Sequence, residues 1–206
     1  MPSLIPDVIP TGTFAAREQP TLPVASGLRV RPWEPKDAPA VFTAFQDPVM
    51  QQWHARVAHS EDEVRDWIEE WRTSWHGERH AFWAVADAES DEIAGRIALR
   101  GITLADGAAE IAYWTMPAAR GRGVAPTAVT ALCRWALDDI GFHRIELLHA
   151  TGNNASCRVA DKTGFLLEGT KRSALLHPDG WHDMHLHARV GADPTPPVNY
   201  GESMPG

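Results

Sequence analysis

Apolar positions along this chain follow two rhythms. "LRVRPW" at 28–33 alternates apolar and polar residues, as a strand with one wet face does, and Pro32 confines it to a sheet edge. "SEDEVRDWIEEWRTSW" at 60–75 repeats at helical spacing. Ser60 is placed to cap it, acids fill its first turn, and Val64, Trp67, Ile68, Trp71 and Trp75 fall on one face. Between them "KDAPAVFTAFQDP" reads as a short helix ending before Pro48. "HAFWAVADAES", "EIAGRIALRGI" and "AEIAYWTM" then read as three strands, "PTAVTALCRWALDDI" as a helix, "RIELLHAT" as a strand, and "ASCRVADKTGF" as a helix with Gly164 as its C-cap. "LLEGTKRSALLH" and "WHDMHLHARV" form a hairpin through "PDG". The predicted order is strand, two helices, three strands, helix, strand, helix, two strands. That is a mixed α/β fold with a strand–helix–strand crossover after Glu110.

The 206 residues suit one domain, placed at 28–190. Residues 1–27 carry five prolines and read as an arm ordered by contact or as a loose tail; 191–206 read as a flexible tail. A net charge of −8 argues against nucleic acid as partner, because phosphate binding needs a basic footprint. It suits solubility or a cationic acceptor. The acidic run around "EDEVRDWIEEW" reads as a solvated helix face that could also attract such an acceptor. No apolar run is long enough for a membrane span, and the N-terminus lacks the pattern of a secretory signal. Cys133 and Cys157 have no CxxC spacing, which fits a reducing cytoplasm.

The junction at "ARGRGVAP" carries the chemistry. A helix N-terminus offers unpaired N–H groups and a partial positive charge, and glycines let these approach an anion closely. Arg120 and Arg122 add charge. The spacing matches neither the ATP-type loop nor the dinucleotide motif. A plain strand-to-helix turn with solvated arginines is the competing reading.

"R-G-R-G-V-A", Arg120 to Ala125, resembles the Q/R-x-x-G-x-G/A loop of GNAT-superfamily N-acetyltransferases. "N-N-A-S-C-R-V-A-D-K-T-G-F-L-L-E-G", Asn153 to Gly169, resembles a segment of the RimJ/RimL-like branch, as do "LRVRPWEPKD", "DPVMQQW" and "HPDGWHDMHLHARV". The resemblance covers about 28–190. It implies a twisted, mostly antiparallel sheet of about seven strands, splayed between the fourth and fifth strands, with helices on both faces. It implies acetyl-CoA in that cleft, with the pyrophosphate on the backbone N–H groups of Arg120, Gly121, Arg122, Gly123, Val124 and Ala125. The pantetheine would lie along Trp114, Thr115 and Met116 and be hydrogen-bonded by Asn153. The resemblance implies no metal. Glu110, ten positions before Arg120, is the candidate base, acting directly or through water; a structural glutamate bound to a neighbouring arginine is the alternative. Ser156 is the candidate acid at the sulfur, or else an early-helix capping hydroxyl. The tyrosine of other branches has no counterpart, and a glutamate proposed as base in RimL corresponds to about Leu175.

Trp53, expected in a loop between helices, is the candidate acceptor wall, with an ordinary core tryptophan as the alternative. His182, His185 and His187 invite a metal reading, but no ligand constellation accompanies them in sequence, so none is expected; one of them could reach the acceptor cleft and take a proton. The implied activity is acetyl transfer to a primary amine by direct attack. The acceptor is a peptide N-terminus, a small amine or an aminated antibiotic. A non-catalytic acyl-CoA-binding module is the alternative, and a homodimer built on the arm is compatible with either.

Overall fold

The computed structural model describes residues 4–24 and 27–194; the distal part of the expected C-terminal tail, 195–206, lies outside them. Seven strands form one sheet: β1 Leu28–Pro32, β2 Ala81–Asp87, β3 Ile93–Thr103, β4 Ala108–Thr115, β5 Arg144–Ala150, β6 Leu166–His177 and β7 Gly180–Val190, in the order β1-β2-β3-β4-β5-β7-β6. Only β4 and β5 run parallel, joined by the helical crossover; the other neighbours are antiparallel. The expected mixed fold is the one observed.

Among the described residues five α-helices accompany the sheet: α1 Ala38–Ala44, α2 Pro48–His54, α3 Glu61–Thr73, α4 Val124–Arg134 and α5 Asn154–Lys162. The sequence reading missed α2. Its start is chemically explicit: Pro48 occupies the first turn, where a missing N–H is harmless, and Asp47 accepts the Met50 N–H at 2.9 Å. Ser60 caps α3 as expected, accepting the Glu63 N–H at 3.1 Å. Beyond α4 the chain continues as a π-helical segment, Trp135–Ile140, which Gly141 ends at φ +92°.

Alternation along the strands fills a core on each face. Val64, Ile68 and Trp71 of α3 join Trp33, Phe45, Ala84 and Trp114 on one face. Trp83, Val85, Ile97 and Leu99 meet α4 and Phe142 on the other. Trp75, expected on the α3 face, lies past the end of that helix and belongs to this second core. The N-terminal arm does too. Ile9, Phe14 and Leu22 are buried in it, and Glu78 accepts N–H bonds from Gly12 at 2.8 Å and Phe14 at 2.7 Å.

Candidate functional site

The parallel pairing of β4 with β5 stops at Ile111–Leu147, so β4 from Ala112 to Thr115 has no partner on its β5 side. A cavity of about 390 Å³ opens there. Its floor is this free strand edge. Its walls are α2, the turn before α4, and the first turns of α5. The β4 edge is held in place on its other side by β3, where Gly95 permits the close approach: a Cβ there would lie 2.4 Å from the Trp114 carbonyl oxygen.

Of the residues expected at a coenzyme, Trp114, Thr115, Arg120, Gly121, Gly123, Val124, Ala125, Asn153 and Ser156 line this cavity. Trp114 contributes backbone, since its indole is buried against Trp33 and Phe45. Met116 and Arg122 do not line it. Met116 packs into the core and its N–H is bonded to Ala94 at 2.8 Å; the Arg122 N–H closes a turn onto Ala119. Among the described residues the N–H groups of Gly121, Gly123, Val124 and Ala125 have no backbone acceptor. Gly121 and Gly123 stand at φ +78° and +77°, a left-handed backbone that side chains disfavour. Arg120 is engaged by Asp47 at 2.6 Å, which ties the turn to α2 and holds the Asp47 carboxyl below its usual range.

Asn153 caps α5, its side-chain oxygen accepting the Ser156 N–H at 3.2 Å. Ser156 thus sits in the first turn, half-buried. The buried Tyr113 phenol lies against it without a hydrogen bond of good geometry, and burial pushes that phenol up to about 12. Sequence reasoning gave Tyr113 no role, since the tyrosine of other branches was read as having no counterpart. Its place on β4, three residues past Glu110, was the available signal.

A second cavity of about 410 Å³ adjoins the first and shares Trp53, His54, Tyr113, Asn153 and Ser156 with it. Glu110 lines only this second one, ion-paired across the strands with Arg100. Trp53 forms a wall between the two. It comes from helix α2 and not from the expected loop, with its ring edge-on to His177 at 5.7 Å. Leu175 is also in this lining, at a bulge of β6. None of His182, His185 and His187 is; the histidines that are, His54, His149 and His177, come from other elements.

The charge here is opposite in sign to the net charge of the chain, −8. Arg96, Arg100 and Lys171 face this cavity, with Glu110 its sole acid. The α3 acids Glu61, Asp62 and Glu69 instead pair with Arg65 and Arg72. Arg96 is 9 % exposed and has no hydrogen bond or ion pair among the described residues. It rests over the Trp71 and Phe82 rings at 5.1 and 5.6 Å. Burial, with Arg100 and Arg56 nearby, pushes its guanidinium down to about 9. Burial and the same three arginines push His54 down to about 3, so its imidazole is neutral.

A family description, "Acetyltransferase (GNAT) domain", matches residues 27–166. The chain belongs to the GNAT acetyltransferase family. It is similar to the ribosomal-protein-serine acetyltransferase of Escherichia coli (strain K12), 30% identical over 50% of this chain and 57% of that protein. It is also similar to the uncharacterized N-acetyltransferase YoaA of Bacillus subtilis (strain 168), 24% identical over 75% of this chain and 88% of the other. The chain spans about half the length of the curated relatives it matches at 30% identity. The crystal structure of a "Probable acetyltransferase" superposes with a TM-score of 0.76 at 25% identity, covering 82% of this chain and 96% of that one. RimL, the ribosomal L7/L12 alpha-N-protein acetyltransferase in complex with coenzyme A, gives 0.76 at 24% over 84% and 100%, a likeness of fold. These relatives support the RimJ/RimL-like branch. The splayed edge of β4 and the turn Arg120–Ala125 border the first cavity, and Glu110 lines the second. No helix among the described residues is long and apolar enough to cross a membrane.

Proposed function

We propose that the protein is an acetyl-CoA-dependent N-acetyltransferase acting on a primary amine, with a peptide or protein N-terminus as acceptor and an anionic group close to that amine. One observation carries the coenzyme assignment: four N–H groups between Gly121 and Ala125 without a backbone acceptor share one cavity with an unpaired strand edge. The N–H groups suit a pyrophosphate and the edge suits an extended amide-bearing arm. Acetyl-CoA would supply the acetyl group. The amine nitrogen forms the new C–N bond, the C–S bond breaks, and one amine proton leaves while the thiolate gains one.

Glu110 and Ser156 both face the acceptor cavity, which both Tyr113 and Ser156 link to the coenzyme side. Because Arg100 already engages the Glu110 carboxylate, Glu110 acts by holding a water that takes the amine proton. Ser156, backed by Tyr113, is the proton donor at the sulfur. The buried, unpaired guanidinium of Arg96 favours an acceptor that brings its own carboxylate, since a buried charge without a partner is costly. Two free cysteines among the described residues accord with a cytoplasmic setting.

The test is isothermal titration with acetyl-CoA of the wild type and Gly123→Asp, followed by thiol release against a panel of peptides. Micromolar binding lost in the variant, with turnover on N-terminal amines, is the expected result. A folded wild type that binds no acetyl-CoA would exclude the proposal, and binding without turnover on any amine would leave a coenzyme-binding module.

A further inference from the structure

On the α5 side of the sheet, three strand histidines and a helix cysteine converge. His149 of β5 stands opposite His185 in the register of β5 with β7, His187 follows two residues on along the same strand face, and Cys157 descends from α5. One nitrogen from each imidazole and the Cys157 sulfur lie within 4.8 Å of one another. The sequence could not show this, because the ligands come from three elements, and the spacing visible in β7 alone matches no known motif.

Two features distinguish the cluster from histidines that merely fill space. The first is orientation. His149 Nδ1 donates to the Ala150 carbonyl at 2.8 Å, so its Nε2 carries a lone pair. That Nε2 points at His187 Nε2, 3.2 Å away. Tetrahedral zinc with bonds of about 2.0–2.1 Å sets its nitrogen ligands about 3.3 Å apart. A backbone carbonyl fixing the distal nitrogen of a ligating imidazole is the usual outer support of such sites. The second is lack of satisfaction. His149 and His187 are 4 % and 2 % exposed, and Nδ1 of His185 and of His187 have no hydrogen-bond partner. The Phe165 carbonyl acts on His187 without a bond of good geometry. Where His187 carries its proton on Nδ1, toward that carbonyl, two lone pairs face each other in a buried space, and a cation between them removes the conflict. Where it carries the proton on Nε2, the pair is a plain N–H···N bond and Nδ1 stays bare.

Asp161, one turn beyond Cys157, is the acid that acts on His149 and His187. Three imidazoles and a thiolate form a borderline-soft set suited to zinc.

We propose that His149, His185, His187 and Cys157 form a zinc site that fastens α5 to β5 and β7. The site fixes the helix that carries Asn153 and Ser156, and its His149 reaches the acceptor cavity. It is independent of the acetyltransferase proposal, because metal binding is measured without coenzyme or acceptor.

The experiment uses the full chain, stripped with EDTA and titrated with Co(II) and with Zn(II). Wild type is expected to take one equivalent, with a thiolate-to-cobalt charge-transfer band and a zinc-dependent rise in Tm. Cys157→Ser should lose that band, and His187→Asn should weaken affinity at least about 100-fold, more than loss of an outer-shell partner does. His182→Asn is the control, because His177, Asp179 and His182 form a second, more open cluster. Folding of each variant is followed by circular dichroism, and Cys157→Ser, half-buried and nearly isosteric, is the variant to rely on. No binding by folded wild type, or binding that survives Cys157→Ser and His187→Asn unchanged, or binding lost in His182→Asn, overturns the proposal and leaves a hydrogen-bonded histidine pair.

Discussion

Arg120 of the glycine turn is ion-paired at 2.6 Å to Asp47, the residue that caps α2. One carboxylate therefore joins two walls of the proposed coenzyme cleft. Asp47→Asn keeps a capping oxygen for the Met50 N–H and removes the charge. The pair is partly exposed, so stability should fall by less than about 1 kcal/mol. The turn loses its anchor, and KM for acetyl-CoA should rise about three- to tenfold with kcat little changed. A steady-state titration of the coenzyme checks this; an unchanged KM would show that the turn is rigid without Asp47.

Ser156 and Tyr113 should behave as one unit. If the serine hydroxyl passes a proton to sulfur with the phenol behind it, Ser156→Ala and Tyr113→Phe each lower kcat by about ten- to a hundredfold, and the double variant is hardly worse than either. Multiplicative losses would separate them and make Tyr113 a packing residue. Glu110→Gln is expected to lower kcat while leaving KM for acetyl-CoA alone, since Glu110 faces only the acceptor cavity.

Much of this was legible in the sequence, for local reasons. Strand alternation, the Ser60 cap and the glycine turn each depend on neighbours in the chain, and each appears where its pattern stands. What escaped depends on distant pairings. Helix α2 is seven residues, too short for a period to emerge, and moved Trp53 from a loop onto a helix. The arm's Ile9, Phe14 and Leu22 lack a period, yet they enter the core because Glu78, far along the chain, binds the N–H groups of Gly12 and Phe14. Net charge says nothing of one cavity: a chain at −8 still gathers Arg96, Arg100 and Lys171 around its second cavity, while surface acids are paired on α3 and elsewhere.

Arg96 gives the acceptor proposal its sharpest test. Peptides with an acidic second residue should be acetylated more efficiently than their lysine counterparts. Arg96→Met, of similar reach and still able to cover Trp71 and Phe82, should erase that preference by lowering kcat/KM for the acidic peptide by about tenfold or more. Equal kcat/KM for the two peptide classes in the wild type would remove the anionic subsite while leaving the acetyltransferase proposal intact.

The protein should lose stability on mild acidification, and His54 supplies the main reason. Burial and the nearby arginines Arg96, Arg100 and Arg56 push its imidazole from 6.5 down to about 3, and burial lowers His177 as well. Between those values the unfolded chain binds more protons than the folded one, so the slope of stability with pH is positive. The contribution is fully present above 6.5 and is lost as pH falls toward 3. From about pH 6.5 to about pH 5, His54 removes on the order of 1–2 kcal/mol. Most carboxylates are still ionised in this window, so the histidines dominate the slope. Thermal melts in EDTA at about pH 7.5 and about pH 5 should show a lower Tm at the acid end, and His54→Asn should flatten the difference whatever it does to the absolute Tm. EDTA keeps metal release out of the comparison. A wild-type Tm that is level or rising toward pH 5 would mean that His54 finds solvent or a carboxylate partner when it takes a proton.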